Sequence, residues 1–188
     1  MNKNDAFEDI SVDMFTASIK CIPIILLLII ILIPLYIYIY GVTSLIFASQ
    51  KLIFGLWIVI PIIVAGIFAH EGLHALVFGM FSDTGFQHIH IGIQWDSLTP
   101  YAHYNKPIRA LYYRIALLAP AVILGVLPIM AGLIFHYGPA FILGLLFLLF
   151  SGGDFLIMWF IRKVSNRTLV KDHPTRAGCY IILNSTDS

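Results

Sequence analysis

Long apolar stretches dominate the pattern of hydrophobic and polar residues along this chain. A helix that crosses a lipid bilayer needs about 20 mostly apolar residues. Four segments meet this requirement, and we predict that each is a transmembrane helix: residues 21–40, 52–81, 111–135 and 139–161. The first apolar run is longer than that of a cleavable signal peptide, and no clear cleavage site follows it, so we expect it to be retained.

The composition agrees with a protein that is embedded in the lipid bilayer. Of the 188 residues, 60% are hydrophobic and only 11% are charged, whereas soluble domains carry about 25% charged residues. The formal net charge is +1 and no basic stripe occurs, which excludes a nucleic-acid-binding protein. With two cysteines, a disulfide framework is excluded as well. The composition does not indicate an oligomeric state.

The basic residues predict how the chain is oriented in the membrane. Lys and Arg accumulate in the cytoplasmic segments of membrane proteins. With four helices and both termini inside, 10 of the 11 basic residues are cytoplasmic and only Lys51 is external. We therefore predict a multi-pass protein of the cell membrane, with cytoplasmic tails at residues 1–20 and 162–188 and a cytoplasmic loop at residues 82–110.

Two of the ten acidic residues, Glu71 and Asp154, fall inside the predicted helices. A charged side chain at this depth is costly and indicates a functional role. Glu71 belongs to a His-Glu-x-x-His motif with His70 and His74. Positions i and i+4 share one face of a helix, so both imidazoles can reach one metal ion. Glu71 can then act as general base on a water at that ion, as in metalloproteases.

A catalytic zinc ion usually has three protein ligands and one water, so the motif lacks one ligand. Asp154 is the leading candidate, because Ser151, Gly152 and Gly153 before it are small and allow another helix to approach. His70 and Asp154 are also at comparable depths, about 16 Å and about 10 Å from the cytoplasmic ends of their helices. We predict a Zn²⁺ site formed by His70, His74 and Asp154. A structural polar network and a metal or proton pathway remain alternatives.

The loop after the motif predicts a β-hairpin at residues 86–104. Apolar and polar or small residues alternate in its first strand: Ile89, His90, Ile91, Gly92, Ile93, Gln94 and Trp95. Asp96 and Ser97 supply turn chemistry, and Pro100 makes the returning strand an edge strand. The predicted fold class is thus an all-α integral membrane protein, a four-helix unit over residues 21–161, with a small cytoplasmic β-hairpin between helices two and three.

This hairpin has three possible roles. Strand edges bind extended peptides through backbone hydrogen bonds, which makes a substrate platform one role. The candidate substrate-binding residues are Ile89, His90, Ile91 and His103. A hairpin at the membrane surface, with Trp95 and Tyr101 at headgroup level, is the second. A separate metal site formed by His88, His90 and His103 is the third.

The chain resembles a family of small bacterial membrane proteins grouped as putative zincin peptidases. The resemblance covers residues 62–180 and rests on five stretches: His70-Glu71-Gly72-Leu73-His74, Leu98-Thr99-Pro100-Tyr101-Ala102-His103, Ala119-Pro120, Ser151-Gly152-Gly153-Asp154 and Asp172-His173-Pro174. The chain is also similar, more distantly, to site-2 intramembrane metalloproteases. That family combines a His-Glu-x-x-His helix, an aspartate on a later membrane helix and a nearby β-hairpin.

The resemblance implies a zinc-dependent intramembrane metalloendopeptidase. His70, His74 and Asp154 would be its zinc ligands and Glu71 its general base. The resemblance does not supply a substrate, but the depth of the site in the cytoplasmic half of the membrane predicts a peptide segment of a membrane-associated protein. The chain departs from the site-2 pattern at one point, because Gly152-Gly153 precede Asp154 and Phe155 follows it, where that family has a Leu-Asp-Gly type of context.

Overall fold

The computed structural model describes residues 6–94 and 99–183 of the chain. Four residues of the predicted hairpin lie outside the described residues: Trp95, Asp96, Ser97 and Leu98. The described part is mostly helical and contains two small antiparallel sheets. The fold is therefore mostly helical, as predicted, but it contains a four-stranded sheet that the prediction of an all-α protein with one hairpin did not include.

Three helical segments are long and apolar enough to cross a membrane: α1 (Met14–Phe54), α2 (Leu56–Phe81) and residues 110–134. The last of these consists of α3 (Ala110–Pro120), a π-helical stretch (Ala121–Val126) and α4 (Leu127–Ile134). A fourth span results if α5 (Gly138–Phe150) and α6 (Gly152–Phe160), which meet at a bend of 43°, form one broken helix. These segments agree with a membrane protein of three or four spans.

Helix α1 is longer than the predicted span at residues 21–40 and is broken near its middle. Gly41 has φ 79° and ψ 159°, a backbone conformation that glycine adopts most easily. Beyond the break, the chain is still apolar and continues as helix to Phe54. Ser44, just after the break, makes two hydrogen bonds that connect it to other segments. Its Oγ lies 3.0 Å from the Tyr36 hydroxyl and 3.1 Å from His136 Nε2.

A four-stranded sheet joins segments from both predicted tails. The strands are β1 (Ala6–Val12), β4 (Ile108–Arg109), β5 (Leu169–Asp172) and β6 (Ala177–Leu183), in the order β1-β6-β5-β4. Neighbouring strands are antiparallel, and Ala6 lies opposite Leu183. β6 has a run of β-branched and aromatic residues that suits a strand, and it buries Cys179 and Ile181 in a core with α2 and α3. This burial explains why the segments are ordered strands and not free tails.

The second sheet is a pair of strands next to α2. β2 (Ile89–Gln94) and β3 (Thr99–Tyr104) are antiparallel, with His90 opposite His103. A short 3₁₀ helix (Gly85–His88) precedes them, so the paired strands begin later than residue 86. Tyr104 is buried and stacks on Phe78 of α2, with 5.6 Å between the ring centroids. This contact holds β3 against the helix that carries the His-Glu-x-x-His motif.

Arg114 fixes α3 to the end of α6. Its guanidinium donates hydrogen bonds to the carbonyl oxygens of Ile161 at 2.5 Å and Val164 at 2.6 Å, and also to Asn166 Oδ1. The last carbonyls of a helix have no partner within that helix, and a cationic side chain satisfies them well. The position of α6 relative to α3 is therefore set by hydrogen bonds as well as by packing.

Candidate metal centre

Helix α2 carries the complete His-Glu-x-x-His motif. His70 and His74 are one turn apart on it and their rings meet edge to face, with centroids 4.9 Å apart. Their side chains are only 12% and 9% exposed. The helix thus presents two nearly buried imidazoles on one face, which is the arrangement that the spacing predicts.

Asp154 reaches the same point from the bend between α5 and α6. Helix α5 ends at Phe150, Ser151 is fully buried, and Asp154 lies in the first turn of α6. One carboxylate oxygen, Oδ2, is 3.2 Å from His70 Nε2, and the other, Oδ1, is 3.4 Å from His74 Nε2. The small residues before Asp154 accompany a break of the helix, and the break directs the carboxylate at α2.

These three side chains fit a zinc ion. Tetrahedral zinc with bonds of about 2.0–2.1 Å holds two ligand atoms about 3.3 Å apart, and the separations at Asp154 are 3.2 and 3.4 Å. Asp154 Oδ2 is buried without a hydrogen-bond partner, which is costly unless another group satisfies it. Within residues 6–94 and 99–183, His70, His74 and Asp154 are the one cluster that could hold a metal ion.

A backbone carbonyl orients one of the candidate ligands. Nδ1 of His74 lies 2.9 Å from the carbonyl oxygen of Ala116 on α3, so this nitrogen donates its hydrogen to it. The assignment leaves Nε2, the atom next to Asp154, unprotonated and able to bind a metal. Such an outer hydrogen bond is typical of metal-binding histidines. Sequence reasoning missed Ala116, because every residue has a carbonyl and no local pattern marks this one.

Glu71 lies on the wall of a cavity of about 610 Å³ together with the three candidate ligands. It is half-buried, and the backbone N–H of Ala102 donates a hydrogen bond to its carboxylate. Ala102 belongs to β3. The strand therefore holds the carboxylate of the candidate base beside the candidate metal centre.

The structure separates the four candidate substrate-binding residues. His103 lines the cavity, as do Tyr101 and Ala102 beside it on β3, which the sequence did not single out for this role. Ile89, His90 and Ile91 are on β2 and are not part of the cavity wall. Of the two strands, β3 therefore contributes to the cavity wall, whereas the predicted residues of β2 do not.

His103 is engaged elsewhere and is not a candidate metal ligand. Its Nδ1 lies 2.7 Å from Oδ2 of Asp172 on β5. Asp172 also accepts a hydrogen bond from the buried hydroxyl of Tyr113, and both residues line the cavity. In the described part of the chain, the alternative metal site of His88, His90 and His103 is not formed. Sequence reasoning missed Tyr113 and treated Asp172 only as part of a family motif.

The comparison with protein families gives one match. The family model described as "Putative zincin peptidase" matches residues 62–169, more than half of the chain. The matched region contains His70, Glu71, His74 and Asp154. Comparison with curated proteins and comparison with solved structures each found no match. Because the family model matches more than half of the chain, the chain belongs to the family of putative zincin peptidases.

Proposed function

We propose that this protein is a membrane-embedded zinc metalloendopeptidase that hydrolyses peptide bonds of membrane-associated proteins. One observation carries the proposal: His70, His74 and Asp154 converge on a single point, and Glu71 lies on the same cavity wall. The family supports a metallopeptidase, and the long apolar helices support a membrane location.

Each residue of the site has a separate task in this reaction. A bound zinc ion would polarise the scissile carbonyl and lower the pKa of a water molecule. His70, His74 and Asp154 would hold the ion, and the Ala116 carbonyl keeps His74 in the required tautomer. Glu71 takes a proton from the attacking water and passes it to the leaving amine. The N–H of Ala102 holds the Glu71 carboxylate in place for this transfer.

The outer edge of β3 suits an extended substrate. The backbone N–H of Asn105 donates to the carbonyl of His88, so residues 88 and 105 form a hydrogen-bonded pair. Such pairs alternate along an antiparallel ladder, and the backbone groups of Ala102 therefore point away from β2. Its N–H meets Glu71, and its carbonyl can accept from a peptide added as a further strand. We infer that the substrate lies along β3.

Removal of the metal gives the direct test of this function. We expect protein purified in detergent to carry about one zinc ion per chain and to cleave fluorescein-labelled casein. Treatment with 1,10-phenanthroline should remove the ion and reduce cleavage to background, and added zinc should restore it. Equal cleavage by metal-free protein would contradict the mechanism. Zinc binding without cleavage would instead favour the non-enzymatic alternative, in which the cluster holds the helices together.

We also propose that both termini are cytoplasmic, as the basic residues predict. The native cysteines make this orientation easy to test, because both are buried. Burial, with Asp172 and Asp9 nearby, raises the pKa of the Cys179 thiol to about 12. Since the thiolate is the reactive form, native Cys179 should stay unlabelled near pH 7.

A cysteine introduced on each side of the membrane should therefore report the orientation. Gln50→Cys and Lys106→Cys change exposed residues, the first in the segment predicted to be external and the second in the loop predicted to be cytoplasmic. In intact cells, a membrane-impermeant maleimide should label the Gln50→Cys protein, whereas the Lys106→Cys protein should need permeabilised cells. The wild-type protein is the control for background. The reverse pattern of labelling would overturn the predicted orientation.

A further inference from the structure

A carboxylate outside the candidate metal centre holds two side chains of the same cavity. Asp172 Oδ1 accepts a hydrogen bond of 2.8 Å from the Tyr113 hydroxyl. Asp172 Oδ2 lies 2.7 Å from Nδ1 of His103. Asp172 thus contacts both side chains at once, one with each carboxyl oxygen. The three residues come from α3, β3 and β5, so the tertiary fold brings them together.

The surroundings of His103 differ from those of a solvent-exposed histidine. Its side chain is 14% exposed, that of Asp172 is 20% exposed, and both line the cavity that contains the candidate metal centre. Nδ1 is occupied by the contact with Asp172. Nε2, on the other side of the ring, is therefore the His103 atom that can meet a ligand in the cavity.

Helix α3 supports this histidine and the candidate metal centre from the same face. Tyr113 and Ala116 are three residues apart, and such positions are neighbours on a helix surface. Tyr113 holds Asp172, and the carbonyl of Ala116 holds His74. His103, through Asp172 and Tyr113, and the candidate ligand His74 are therefore supported by the same helix. A negative charge that develops in the transition state is stabilised best by a hydrogen-bond donor held in a fixed position.

We propose that His103 is a catalytic residue that donates a hydrogen bond from Nε2 to the scissile carbonyl oxygen as that oxygen becomes negative. Asp172 and Tyr113 are positioning residues, which hold the His103 ring in the required orientation. The proton stays on His103 throughout the attack of water, and no bond to the imidazole forms. This inference rests on the proposed peptidase function and adds an oxyanion-stabilising group to it.

The test compares His103→Gln and Asp172→Asn with the matched control His136→Gln. His136 is exposed and is not part of the cavity wall. With zinc-loaded protein and labelled casein, His103→Gln should lower kcat about 10²-fold and change KM less than about threefold. Zinc content and melting temperature should stay as in the wild type. His136→Gln should leave kcat unchanged.

A double variant separates positioning from a merely structural role. If Asp172 acts through His103, Asp172→Asn should lower kcat in the wild type but add almost nothing to His103→Gln. Tyr113→Phe removes one hydrogen bond from Asp172 and should cause a smaller loss, about three- to tenfold. Additive losses from His103→Gln and Asp172→Asn would contradict the positioning role.

A binding measurement tests the same inference without turnover. N-phosphoryl leucyl-alanine carries an anionic tetrahedral group that resembles the attacked carbonyl. In zinc-loaded Glu71→Gln protein, the additional change His103→Gln should weaken its binding about 10²-fold, whereas His136→Gln should not. Unchanged binding, or unchanged kcat in the His103→Gln enzyme, would overturn the role of His103 alone. Absence of any Glu71-dependent cleavage by the wild type would instead overturn the proposed function.

Discussion

Replacing Glu71 with glutamine should abolish peptide-bond hydrolysis while the protein keeps its fold and its metal. Glutamine has nearly the same shape as glutamate but cannot accept a proton from water. General-base catalysis contributes about 10²–10⁴-fold to a rate, so we expect cleavage of labelled casein to fall by about 10³-fold. Glu71 is outside the His70, His74 and Asp154 cluster, so zinc content should remain about one ion per chain.

The chain offers a matched control for this variant. Glu8, the other glutamate of the chain, is exposed on β1 and is not part of the cavity wall. Glu8→Gln removes the same charge and should leave cleavage and melting temperature unchanged. Normal cleavage by Glu71→Gln would show that the mechanism is wrong. If that variant instead unfolded or lost its zinc, the structural role of the cluster would gain support.

Replacing Asp154 with alanine should remove the metal. The change deletes one of three converging ligands and leaves two nearly buried imidazoles facing an empty space. Loss of an outer hydrogen bond around a metal costs about 10–100-fold in affinity, so loss of a direct ligand should cost at least about 10²-fold. Competition with a chelating fluorophore measures this affinity. We expect undetectable cleavage as a consequence.

Asp83→Ala is the control for the Asp154 variant. Asp83 is exposed and follows the C-terminal end of α2, so the control removes an aspartate without touching the cavity. It should keep full zinc affinity. Unchanged zinc stoichiometry and affinity in Asp154→Ala would show that Asp154 is not a zinc ligand.

The candidate site could be read from the sequence because charge is scarce in apolar helices. His70, Glu71 and His74 are adjacent along the chain, and helical geometry alone predicts that they share a face. Asp154 has no spacing rule, but an acid inside a membrane helix after three small residues is unusual enough to single out. The structure brings these side chains together. Their roles in binding zinc and in catalysis remain predictions.

The contacts that the sequence could not reveal are those between distant, ordinary segments. His103 and Asp172 are 69 positions apart, and His74 and the Ala116 carbonyl are 42 apart. The pairing of β1 with β6 joins the two ends of the described chain. In sequence, only a few β-branched residues mark β1 and β6 as strands. The burial that stabilises the strands comes from their packing against helices. Local pattern therefore predicts the helices but not the four-stranded sheet.

The order of this sheet has a consequence for the biogenesis of the protein. Within the described residues, β1 precedes every helix, and its partner β6 follows every helix. During synthesis, the first strand must therefore wait for its partner until all these helices have left the ribosome. Asp172 is on β5, next to β6, so the support of His103 is completed only at that late step. An unfinished chain would carry the His-Glu-x-x-His helix without this support, which delays assembly of the full cavity until the last helices have been made.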